Sequence, residues 1–105
     1  SEEHRLMLLL EALSKESLWD EFAEVVEVTI NELSTRNSKK IVELCGGDVG
    51  TFDRYKHPKL ISHAALIFSL KRINSDEKVE FVMKKIQEEG IANFSEVKSL
   101  FQGEM

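Results

Sequence analysis

Apolar residues recur along this chain every three to four positions, the spacing of one buried helix face. No stretch alternates apolar and polar residues in the two-residue rhythm of a half-buried strand, so the pattern predicts an all-α fold. A first helix is expected over about residues 2–13, with Ser1 as its cap and Leu6, Leu9, Leu10 and Leu13 as its inward stripe. Met7, Leu8 and Ala12 widen that stripe beyond one face. A second helix is expected after Ser17, which makes a capping-box pattern with Asp20. Trp19, Phe22, Val26, Thr29, Ile30 and Leu33 share one side of it, and Asp20, Glu24, Glu27 and Asn31 the other.

Ser34 to Ser38 is polar and breaks the rhythm; a short third helix over about residues 38–45 then ends at Gly46. Pro58 suits the first turn of a fourth helix, expected over residues 58–73, because the N–H that proline lacks has no partner there anyway. The apolar positions of that helix run almost all the way round, which puts it at the centre of the fold. Ser75 opens a fifth helix, Asp76 to Glu89, closed by Gly90. Asn93 and Glu96 form a second box, opening a sixth helix with Val97, Leu100 and Phe101 on one face. Short connections make consecutive helices neighbours. Two arrangements satisfy this: a bundle around helix 58–73, or a short stack of helical hairpins. The stack draws on an internal echo, Lys39-Lys40-Ile41 recurring as Lys84-Lys85-Ile86.

At 105 residues, 42% of them hydrophobic and 31% charged, the chain reads as one globular domain, residues 1–105. No apolar run, Leu6 to Leu10 included, exceeds five residues, far short of a bilayer span, so no membrane partner is expected. A single cysteine, Cys45, and the acidic Glu2 and Glu3 in place of a basic leader point to an intracellular protein. The net charge of −5 is unevenly spread: −7 over residues 1–34, +5 over residues 35–72 and −3 over residues 73–105. The basic middle is therefore where an anion would be met.

Bond-making chemistry finds little to work with. His4, His57 and His63 have no metal-ligand spacing with one another or with Cys45, so no metal site is expected. Cys45 falls four residues after Ile41, where a small side chain packs, and no cofactor or catalytic residue is assigned. Gly46, Gly47 and Gly50 follow a helix and lack the lysine of a phosphate loop.

Residues 38–59 carry a more specific pattern: a short helix, a glycine turn, and a second short helix near Thr51 to Tyr55. With Ile41, Glu43, Gly46, Gly50, Thr51, Phe52, Arg54, Tyr55 and Lys59, this segment resembles the DNA-binding helix–turn–helix of TetR-type repressors. The resemblance implies that Thr51 and Tyr55 approach the phosphate backbone and that Lys59 begins the next helix beside it. Arg36, Lys39, Lys40, Arg54 and Lys56 would add cations. The chain departs from the family pattern at Asp53 and Lys56, where aromatic residues are usual, and at Gly47, where a branched apolar residue locks the turn.

The leading expectation is a non-catalytic protein–protein interaction or oligomerisation domain. Met7, Leu8, Val25 and Val28 exceed what one inward face needs, and surplus apolar surface marks a partner, either another protein or a second copy. The alternative is a small DNA-binding regulator using residues 36–59.

Overall fold

The helices begin where a short hydroxyl side chain can take up an orphan backbone N–H. In the computed structural model, Ser1 Oγ accepts from His4 N, Ser34 Oγ from Asn37 N and Ser75 Oγ from Lys78 N, each at 3.2 Å. The structure describes residues 1–48, 58–90 and 94–103. These form α1 (Glu2–Lys15), α2 (Trp19–Thr29), α3 (Thr35–Leu44), α4 (Pro58–Lys71), α5 (Asp76–Glu89) and α6 (Phe94–Gln102). A single 3-10 turn, Ile30–Glu32, extends α2, and no strand occurs among the described residues.

Two helix starts differ from expectation. Ser34 is a cap rather than part of a break, so α3 starts at Thr35, with Thr35 and Arg36 in solvent at its first turn. Ser17 does not cap α2, whose N-cap is Leu18. Instead Ser17 terminates α1 with a left-handed φ of 56°. Leu18 N donates to Leu13 O at 2.9 Å and Ser17 N to Ser14 O at 3.1 Å, the paired bonds of a Schellman end. Gly46 closes α3 in the same way at φ 80°, with Gly47 N donating to Val42 O and Gly46 N to Glu43 O. Asn93 and the expected helix near Thr51 to Tyr55 lie outside the described residues.

All six helices feed one apolar core: Met7 and Leu10 of α1, Phe22 and Val26 of α2, Ile41 and Val42 of α3, Val79 and Val82 of α5, Val97 and Phe101 of α6. Ala64, Ala65, Leu66 and Ile67 of α4 sit among them, and α4 packs against α2, α3, α5 and α6. The fold is thus a bundle around α4, not a stack of hairpins. Even the polar residues of α4 are drawn inward. His63 and Ser69 are buried, and Ser69 Oγ donates to Ala65 O at 2.7 Å.

The inward face of α1 is rotated from the expected stripe. Met7 is 4% exposed and belongs to the core, so it is not available to a partner. Leu9, expected inside, is half exposed. The reason is electrostatic. Glu3 Oε1 accepts from Ser34 N at 2.8 Å and Asn37 Nδ2 at 2.6 Å, and Glu11 pairs with Lys40 at 2.6 Å. Positions 3, 7, 10, 11 and 14 share a helix face. Two carboxylates that read as solvated are therefore turned toward α3, and Met7 between them goes inside.

Candidate interaction surface

Rotating Met7 and Leu10 inward forces the opposite face of α1 outward, and that face is not polar. Leu8 and Leu9 are 52% and 46% exposed, and Ala12, one turn on, is exposed beside them. Arg5 and Glu16, also exposed, extend the same face in either direction. Within the described residues α1 packs mainly on α2 and α3, which leaves this side open. The other large exposed hydrophobics are dispersed: Leu18 at a turn, Ile73 after α4, and Val28 on α2. Val28 is 72% exposed, but Glu21, Glu24 and Asn31 surround it on the outer side of α2. Val25 is half buried against the core.

Of the four apolar candidates read from the sequence, then, Leu8 is joined by Leu9 in a patch, Val28 stands alone, Val25 packs inward and Met7 is core. Leu9 was missed because it completes a regular stripe with Leu6 and Leu13. Its spacing from Arg5 and Ala12, at four and three residues, carries the opposite assignment.

The basic segment is less free than its composition implies. Lys40 is committed to Glu11, and Lys39 is half buried. Arg36 is exposed, in a cleft of about 380 Å³ with His4, Asn37 and Lys40. The negative charge that the α3 N-terminus favours is already supplied by Glu3. The Ser34 backbone N–H, and then Asn37, hold the Glu3 carboxyl below its ordinary value; Lys40 does the same for Glu11. Thr51, Arg54, Tyr55 and Lys56, and the side chain of Lys59, lie outside the described residues. Gly47 is packed so closely that a Cβ there would come within 2.6 Å of the Phe68 ring and 2.8 Å of Val42 Cγ1. The branched residue usual in TetR-type turns has no room at this position.

A second cleft, about 310 Å³, is lined by Trp19, Phe68, Lys71, Arg72 and Asp76, with Cys45 at its base. Its cations are engaged with its rings: Arg72 lies 4.3 Å from the Trp19 centroid and Lys71 5.5 Å from that of Phe68. Burial pushes the Cys45 thiol up to about 11, so it is protonated at neutral pH and packs as a small apolar group. Among the described residues no cluster of three His, Cys, Asp or Glu side chains is placed to hold a metal ion, and no helix is long and apolar enough to cross a membrane.

Comparison with protein-family models, with curated proteins and with solved structures finds no match.

Proposed function

We propose that this chain is a non-catalytic interaction module and that the outer face of α1 is its contact surface for another polypeptide. One observation carries the reading: Leu8 and Leu9 lie side by side in solvent on a helix that buries Met7 and Leu10. Single exposed leucines are ordinary on protein surfaces, whereas adjacent ones extended by Ala12 form a continuous apolar strip. Covering the exposed halves of both leucines is worth about 2 kcal/mol, or roughly thirtyfold in affinity. The DNA-binding alternative is weaker, because Lys40 is spent on Glu11 and Gly47 admits no side chain.

The test is a photo-crosslinking side chain at position 8, with position 80 on the exposed side of α5 as control. The full chain, irradiated in extract of its source cells, is expected to give discrete protein adducts from position 8 and none above background from position 80. Equal yields from both positions would contradict the reading.

A further inference from the structure

We infer that the occupant of the α1 surface is a second copy of this chain, docked with the two α1 helices antiparallel across a two-fold axis. This rests on the interaction reading above and names its partner. Arg5, Leu8, Leu9, Ala12 and Glu16 fall at i, i+3, i+4, i+7 and i+11, the spacing of a helix–helix seam. All five are at least partly in solvent, and Ala12 in the seam permits close approach of a second backbone.

The charges choose the partner and its direction. The N-terminal end of the face carries Arg5 with Glu2 at its edge, and the C-terminal end carries Glu16 with Lys15 at its edge. All four side chains are exposed. In an antiparallel pair, Arg5 of one copy comes opposite Glu16 of the other. The two-fold axis makes that pairing twice. A parallel pair would set Arg5 against Arg5 and Glu16 against Glu16, and would align the helix dipoles unfavourably. The face is therefore complementary to itself in one orientation only.

The contact is small. A helix of 14 residues is about 21 Å long, so one such face buries less than the roughly 800 Å² per partner of a stable interface. The dimer is accordingly weak and is populated only at high protein concentration.

Sedimentation of the full chain from low micromolar to about 1 mM tests this, with circular dichroism confirming that each variant is folded. The wild type is expected to pass from monomer to dimer. Arg5→Glu and Glu16→Arg should each weaken association by roughly tenfold, and the two together should restore it to within about threefold of wild type. A wild type that stays monomeric throughout overturns the second-copy assignment. Crosslinked adducts from position 8 at masses other than twice the chain's own would then leave the surface standing with a different partner. No adducts at all would remove both. Association that ignores the single charge reversals, or that the double reversal fails to restore, overturns the antiparallel pairing.

Discussion

Helices α1 and α4 are both 14 residues long and both rich in apolar residues, yet the fold uses them oppositely. On α4 burial goes nearly all the way round, taking in Ile61, His63, Ala64, Ala65, Leu66, Ile67 and Ser69. On α1 only Met7 and Leu10 are fully buried, while Leu8 and Leu9 face solvent. The difference lies in the neighbours. Helix α4 is enclosed by four other helices, so every side of it finds an apolar partner. Helix α1 is fixed on one side by Glu3 and Glu11, whose partners all lie on α3 or at its cap. Apolar content alone does not say whether a helix is central. What surrounds it, and which polar groups are tethered, decides which of its hydrophobic residues are left for others.

The largest effect expected is at the centre of α4. Leu66→Asp places an unpaired carboxylate where Leu66 is fully buried, at a cost of about 4 kcal/mol or more, and the chain should lose its cooperative thermal transition. On α1 the two faces should separate. Met7→Ala is expected to cost about 2–3 kcal/mol in urea unfolding, whereas Leu8→Ala should change stability by less than about 0.5 kcal/mol. Equal costs at the two positions would mean that the assignment of inner and outer faces is wrong.

Smaller effects sharpen the comparison at the α1–α3 contact. Ser38 of α3 is fully buried, and its hydroxyl has no hydrogen-bond partner among the described residues. Ser38→Ala should therefore stabilise the fold by about 1 kcal/mol, read as a higher urea midpoint. Glu3 and Glu11 both have carboxyl pKa values lowered from 4.5 in the folded state. Their contribution is complete above that ordinary value and is lost as pH falls through the lowered ones. Stability should thus decline from about pH 5 toward pH 3, and Glu3→Gln should remove part of that slope. The smallest change is at the end of α1. Ser17→Gly relieves a left-handed backbone that glycine adopts freely, and should raise stability by about 0.5–1 kcal/mol.

The all-α architecture and several helix ends were legible because they depend on local chemistry. Ser75 and Gly90 bracket α5 as read, since a hydroxyl cap and a left-handed glycine act within one turn of themselves. The central place of α4 was legible because no polar face exists along it. The orientation of α1 was not. Leu6 to Leu10 are five consecutive apolar residues that cover every direction, so the polar residues had to break the tie. Carboxylates were read as pointing to water, and Glu3 and Glu11 instead reach residues more than twenty positions away. Ser17 misled for a related reason. A serine three residues before an acid suits a helix start, but the bonds from Leu18 to Leu13 and from Ser17 to Ser14 made it the end of the preceding helix.

The central claim is that Leu8 and Leu9 serve a partner and not the fold. The double variant Leu8→Ser, Leu9→Ser measures this in one sample, by its melting temperature and by its sedimentation at high concentration. The expected result is a melting temperature within about 2 °C of wild type, together with loss of association. A drop of several degrees, or association that survives unchanged, would contradict it.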